Sequence, residues 1–330
     1  MGSWFSGPQA PDVVVTFVSL GMVVLDELRF PGKKLISDVM GGSASYGTLG
    51  ARLFAMNRRS TSIGCLVLAG KDFPEAVEKR LREWNMALVL KKDLKRLSTR
   101  GLLEDEDTTF GPKKFRYTTE PLKPLPHDLF ASPLLASHTY HFLAAPEDLT
   151  RQVSELLELR MQKGIDSRPL LVWEPFPPAC QAESLKSILA ACSLVDVFSP
   201  NHLEITRLFT DADPEEFQPK VLESYAQKFL DHSIGPHGKG CIVIRAAEHG
   251  SLSASRAAGC IWSPAFYPTA SDLSRIVDPT GAGNAFIGGF ATGLQEKRTL
   301  DQAAAYGNVA ASFALEQIGL PTLEVNDSCS

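Results

Sequence analysis

The chain has 330 residues, 44% of them hydrophobic and 22% charged, a globular balance with length enough for a sizeable core. A formal net charge of -5 and the absence of a long basic run argue against a reader of the nucleic-acid backbone, so no nucleic-acid partner is expected. No stretch approaches the roughly 20 apolar residues of a membrane span, no secretory signal opens the chain, and six scattered cysteines without a C-x-x-C pair read as buried thiols in a reducing compartment, with cytoplasm the expected location.

Residues 1–11 read as a disordered leader ending at Pro8 and Pro11, although "MGSWFS" also matches the pattern for myristoylation at Gly2. "DVVVTFVSLG" (12–21) is apolar and β-branched and ends on glycine, which predicts a buried first strand. Polar residues follow from Asp26 to Asp38, and "GGSASYGTLGARLFAM" then predicts a helix of small residues behind Gly41 and Gly42. "STSIGCLVLAG" (60–70) predicts another strand, and "PEAVEKRLREW" an amphipathic helix. Residues 95–125 are polar, rich in Thr and aromatics and broken by Gly111-Pro112, which predicts short exposed strands. Further strands are expected at 139–144, 169–175, 194–200 and 241–247. Helices are expected at about 147–163, 181–191, 201–210, 214–231, 280–296 and 299–317. The alternation predicts βαβ units, right-handed crossovers and a mostly parallel sheet covered on both faces. Ligands of such sheets gather at the carboxyl ends of the strands.

Four stretches carry candidate chemistry. In "DPTGAGNAF" (278–286), Gly281, Ala282 and Gly283 lead into a helix, so free N–H groups and the helix dipole suit a phosphate or oxyanion. Asp278 and Thr280 add polar groups, although a glycine-rich helix start also serves close packing alone. In "PNHLE" (200–204), Asn201 fits a helix cap with Glu204 at the third position. Glu204 there could also hold water on Mg²⁺ beside a nucleotide. Asp26 follows a strand end upstream of Gly41-Gly42, well placed to accept bonds from paired hydroxyls, and equally an exposed loop carboxylate. "IRAAEHGSL" (244–252) indicates a hairpin. "GCLVLAGKD" fails as a Walker A loop, no G-x-G-x-x-G follows the first strand, and no G-x-S-x-G elbow is present. His138 and His141 point to opposite faces of one strand, which disfavours a metal pair.

In this order and spacing the four stretches resemble the ribokinase-like, or PfkB, family of carbohydrate kinases, over roughly residues 14–320. "DPTGAGNAF" is similar to the family's D-T-x-G-A-G-D-x-F, "PNHLE" to its N-x-x-E, "GG" at 41–42 to its diglycine, and "SIGCLVLAGKDF" to its I-G-x-V-G-x-D-x-F. The resemblance implies a single doubly wound α/β domain over 12–330 with a small β lid built from about 26–39 and 95–120. It implies transfer of the γ-phosphoryl of ATP to a hydroxymethyl group of a sugar or nucleoside, with Mg²⁺ and room for a monovalent cation. Asp26, Gly41, Gly42 and Tyr46 would then contact substrate. Gly281, Ala282 and Gly283 would form the anion hole, and Asn201, Glu204, Arg245, Gly250, Asp278 and Thr280 would lie about the nucleotide, with Glu204 toward the metal. An exposed lid of this kind is also a surface through which a homodimer forms.

The departures carry as much information. The family's catalytic Asp is Asn284 here. Its T-x-G-x-x-G motif reads Arg245-Ala246-Ala247-Glu248-His249-Gly250, Tyr46 stands where relatives carry a substrate-binding Asn, and "VWEP" stands where they carry D-P-N. In "VWEP" and the Asn the chain resembles the fungal branch linked to maintenance of killer-virus satellite RNA. An amide accepts a hydrogen bond but takes no proton. General-base help is worth about 10²–10⁴-fold, whereas positioning and the anion hole dominate phosphoryl transfer. Three readings stay open: an attenuated kinase, a sugar- or nucleotide-binding pseudokinase, and an anion hole turned to another reaction.

Overall fold

Most of the apolar runs become parallel strands of a nine-stranded sheet in the computed structural model, which describes residues 14–29, 34–55, 61–104, 114–213 and 216–322. In chain order the strands are β1 (Phe17–Ser19), β2 (Val24–Arg29), β3 (Ile36–Gly41), β4 (Ile63–Gly70), β5 (Ala87–Asp93), β6 (Arg100–Glu104), β7 (Lys114–Tyr117), β8 (Thr139–Ala144), β9 (Leu170–Pro175), β10 (Val197–Phe198), β11 (Cys241–Arg245), β12 (Ser251–Ser255) and β13 (Gly259–Ser263). The large sheet has the order β13-β12-β11-β10-β9-β8-β1-β4-β5, parallel from β11 to β5, with β12 and β13 as an antiparallel edge. A second sheet, β3-β2-β6-β7, stands apart and draws its strands from the two polar stretches.

The helices are α1 (Ser43–Arg52), α2 (Glu75–Glu83), α3 (Pro146–Gln162), α4 (Leu185–Cys192), α5 (His202–Arg207), α6 (Pro219–His232), α7 (Ala270–Leu273), α8 (Ala282–Gln295) and α9 (Leu300–Leu315). They cover the large sheet from both sides. Tyr140, Phe142, Trp173 and Phe198 pack with α3, α4 and α6 in one core. Val67, Val172 and Val243 pack with α2, α8 and α9 in the other. Successive strand residues face opposite ways. Because Val18, Tyr140, Trp173 and Ile244 belong to the first core, Ser19, His141, Glu174 and Arg245 turn toward the α8 side. Ser19, Glu174 and Arg245 lie at or next to the carboxyl ends of their strands, and His141 lies mid-strand between Ser19 and Glu174.

Several boundaries differ from expectation. The first strand begins at Phe17 rather than 12, and 194–200 contributes only Val197–Phe198 before Ser199-Pro200 leaves the ladder. The helix expected from 214 starts at Pro219, where a proline costs no helical hydrogen bond. β5 was not anticipated, because its "ALVLKKD" ends in charges at an exposed sheet edge. Cys65, Cys180, Cys192 and Cys241 are buried as expected, but Cys260 on the edge strand β13 is exposed. The leader 1–11, Gly2, residues 30–33 and 105–113 of the expected lid, and Cys329 lie outside the described residues.

Candidate active site

The loop before α8 is fixed from within. Asp278 is buried, and its Oδ1 accepts the Thr280 N–H at 2.8 Å. Gly281 caps the helix at φ 80°, ψ -7°, a left-handed conformation that favours glycine, and a methyl group there would overlap the Tyr46 ring. The Ala282 N–H makes a turn bond to Pro279 O at 3.3 Å. The N–H groups of Gly283 and Asn284 sit in the first turn, where no intrahelical acceptor exists and the dipole is positive.

Two cavities meet at this helix start. The larger, about 790 Å³, is lined by Glu174, Asn201, Glu204, Arg245, Gly250 and Gly283 among others, including Ala282. The smaller, about 240 Å³, is lined by Asp26, Gly42, Tyr46, Thr280 and Gly281, with Phe115 and Tyr117 from the small sheet. Asn284 lines both. Gly41 stands against the Asp26 carboxylate.

The polar residues on the α8 side form a continuous chain. The Gly21 N–H donates to Ser19 Oγ at 3.1 Å, and Ser19 Oγ lies 2.9 Å from His141 Nδ1. His141 Nε2 stands 3.2 Å from Glu174 Oε2. A carboxylate has no proton to give, so Nε2 carries the hydrogen in this contact. Asn284 Nδ2 donates to the same Oε2 at 2.6 Å, and Arg245 Nη1 meets Glu174 Oε1 at 2.8 Å. Burial pushes the Glu174 carboxyl up, but Arg245, His141 and Asn284 outweigh it and hold the group below the usual range. Glu174 is a buried anion with both oxygens facing donors.

Glu204 forms the other end. Asn201 Oδ1 accepts the Glu204 N–H at 2.7 Å, and Glu204 Oε2 accepts the Asn201 N–H at 2.7 Å, a complete capping box for α5. Asn201 Nδ2 donates to Glu204 Oε1 at 2.8 Å, and Arg245 Nη2 lies 3.5 Å from Oε2. Burial pushes Glu204 up to about 7 despite the pull of Arg245. Arg245 Nη2 also donates to Ser199 O at 3.0 Å, and its Nη1 packs so closely on Gly283 that a methyl group there would overlap it.

In the smaller cavity, Asp26 is buried and its Oδ1 has no hydrogen-bond partner. Burial first, and the nearby charge of Asp278 second, push its carboxyl up to about 7. Such an orphaned acceptor suits a ligand hydroxyl. The exposed-loop alternative for Asp26 is thereby corrected.

A family model for the pfkB family carbohydrate kinases matches residues 54–325. The chain belongs to the pfkB family. It is 32% identical to an uncharacterized protein of Schizosaccharomyces pombe over 94% of this chain and 87% of that one. To protein MAK32 of Saccharomyces cerevisiae it is 29% identical over 92% and 85%. Among solved structures, ribokinase from Giardia lamblia superposes with a TM-score of 0.69 at 17% identity, covering 94% of this chain and 96% of that one. The fold is therefore ribokinase-like, as expected.

Most of the anticipated residues line these two cavities. Asp278 lines neither cavity and instead holds the loop, while Tyr46 is the wall against which Gly281 packs. The turn 247–249 and β12 realise the expected hairpin, with Gly250 at φ 86° facing the larger cavity. Glu174, which lines the larger cavity, and Ser19 and His141, which link to it, were not among the expected site residues. Their signal was parity: each is polar at an inward position of an apolar strand. pfkB kinases generally use ATP and Mg²⁺, yet the donor set here does not fit a metal ion. Both Glu204 oxygens accept hydrogen bonds, Glu174 Oε2 accepts from two donors while Oε1 is ion-paired with Arg245, and no group of three His, Cys, Asp or Glu arranged for a metal occurs among the described residues.

Proposed function

We propose that the protein is a phosphotransferase-like member of the pfkB family, located in the cytoplasm. A sugar or nucleoside would occupy the smaller cavity, and ATP the larger. The carrying observation is that Asn284 lines both cavities at the head of α8, beside the first-turn amides. Asp26 would accept a ligand hydroxyl, and the Gly283 and Asn284 amides would hold the phosphate being transferred. Because Nδ2 of Asn284 is committed to Glu174, its Oδ1 is the atom left to accept the reacting hydroxyl. That hydroxyl oxygen would form the new bond to phosphorus as the bond to the leaving diphosphate breaks. With no base to take it, its proton would pass to a phosphoryl oxygen, and the rate would fall by about 10²–10⁴ relative to a site with a base.

One observation favours a second reading, a binding module without turnover. The Arg245–Glu174 pair lies against Gly283, beside the place where a phosphoryl group would rest. Calorimetry with ATP, then ATP consumption over a sugar and nucleoside panel, separates the two. The panel includes wild type, Asn284→Asp, and Asn284→Asp combined with Glu174→Gln. Wild type should bind ATP and turn over slowly. The double variant should gain most, because in the single variant the new carboxylate faces Glu174 and the two share a proton. Binding without turnover in all three proteins would establish the module, and no nucleotide binding would remove both readings.

A further inference from the structure

Three departures from the family pattern, Arg245, Glu174 and Asn284, form one chain of contacts: Arg245 Nη1 to Glu174 Oε1 at 2.8 Å, and Glu174 Oε2 to Asn284 Nδ2 at 2.6 Å. Their joint effect is to remove a carboxylate from the helix start, place one at the end of β9, and bring a guanidinium between that carboxylate and Glu204. We infer that Arg245 is the resident cation of this site, standing where other pfkB kinases use a divalent ion, so that a phosphate ligand binds in the larger cavity without divalent metal. This rests on the reading of that cavity as a phosphate site.

The geometry leaves a metal little to bind. Glu204 accepts from the Asn201 N–H and Asn201 Nδ2 and is ion-paired with Arg245, and Glu174 accepts from His141 and Asn284 and is ion-paired with Arg245. A dication would displace one of these donors and then stand within a few ångströms of the guanidinium. In a buried site such like-charge contact is poorly screened. Arg245 is also held in place: its Nη2 donates to Ser199 O at 3.0 Å, and the absence of a side chain at Gly283 admits Nη1 to the edge of the anion loop. Its Nε is buried without an acceptor. An Nε buried in this way is closed to a ligand, but Nη1 carries a second hydrogen beyond the one turned to Glu174 and lies at Gly283, where it suits a charged contact with a phosphate. A guanidinium carries half the charge of Mg²⁺, so the site accepts a phosphate ligand at lower total charge.

The test uses wild-type protein and ATP, with inorganic pyrophosphate as a second probe, titrated calorimetrically in EDTA and in excess Mg²⁺. Thermal melting is followed under the same conditions without ligand. Equal affinity in EDTA and Mg²⁺, and a melting temperature indifferent to Mg²⁺, are expected. Binding that appears only with Mg²⁺, or stabilisation by Mg²⁺ alone, overturns the inference while leaving the phosphate site standing. Arg245→Gln should weaken pyrophosphate by about tenfold to a hundredfold, the worth of a charged hydrogen bond. Arg245→Thr, which frees both carboxylates, should take up Mn²⁺ detectable by paramagnetic resonance, whereas wild type should not. If neither probe binds wild type in either condition, the phosphate reading and its metal-free form both fall. If Arg245→Thr does not fold, the wild-type titration and melts decide alone.

Discussion

At the scale of single residues, the difference between Asn284 and a carboxylate lies in which atom must face Glu174. An amide turns its NH₂ to the anion and leaves its carbonyl free, a fixed orientation that a carboxylate could adopt only by sharing a proton. Asp26 presents the complementary case of a carboxylate without donors. Its folded pKa of about 7 exceeds the ordinary 3.8, so the folded protein holds a proton that the unfolded chain releases. Stability from this group is therefore greatest below pH 3.8, falls as pH rises, and levels off above about 7. Asp26→Asn should remove that slope. It should melt higher than wild type at pH 8 by the equivalent of a few kcal/mol at most, since each tenfold change in proton affinity is worth about 1.4 kcal/mol. The gain should vanish in acid, and sugar or nucleoside binding should weaken at every pH. An unchanged pH–stability profile would show that Asp26 is solvated in the folded protein.

At the scale of elements, the starts of α5 and α8 do different work. Asn201→Ala should cost about 1 kcal/mol or somewhat more in urea unfolding, the usual worth of an N-cap, and should loosen Glu204 as well. Gly283→Ala gains up to about 1 kcal/mol of helix propensity but pushes the Arg245 fork off Glu174. Its stability should stay near wild type while phosphate affinity drops. Gly281→Ala should be the more damaging change, since it meets both the left-handed conformation, roughly 1–2 kcal/mol, and the Tyr46 ring. Equal melting temperatures for the two variants would contradict that ranking. Both helix starts were readable from sequence, because capping residues and glycines act locally. β10 shortened and α6 began late for reasons equally local, Ser199-Pro200 and Pro219, that a periodicity reading underweighted. Arg245 was named from its motif, but its meeting with Ser19, His141 and Glu174 in one row was not readable, because that depends on the strand order that puts β1, β8, β9 and β11 at their places in one sheet.

At the scale of the whole molecule, the two cores divide the labour. The α3–α4–α6 side is apolar packing, while the α8 side carries the polar row to the strand ends. A small β lid drawn from the two polar stretches was expected; its pairing order was not, since β2 joins β6 across the whole of β4 and β5. Arg100 ties that sheet down: its Nε meets Asp72 Oδ2 and its Nη1 meets Asp38 Oδ1, each at 2.8 Å. Arg100→Ala should cost about 1 kcal/mol or less overall, because the pairs are partly exposed. It should nonetheless speed amide exchange in β2 and β3 and weaken binding in the smaller cavity.

The most direct measurement is a titration of isotope-labelled protein with ATP, followed through the backbone amide resonances of residues 281–284 and the Nε–H of Arg245. Saturable shifts at Gly283, Asn284 and Arg245 are predicted, with a second shift at Asn284 when a bound sugar or nucleoside fills the cavity beside Asp26. Resonances at these positions that stay fixed while the folded protein binds ATP elsewhere, or does not bind it, would contradict the placement of a phosphate at the head of α8.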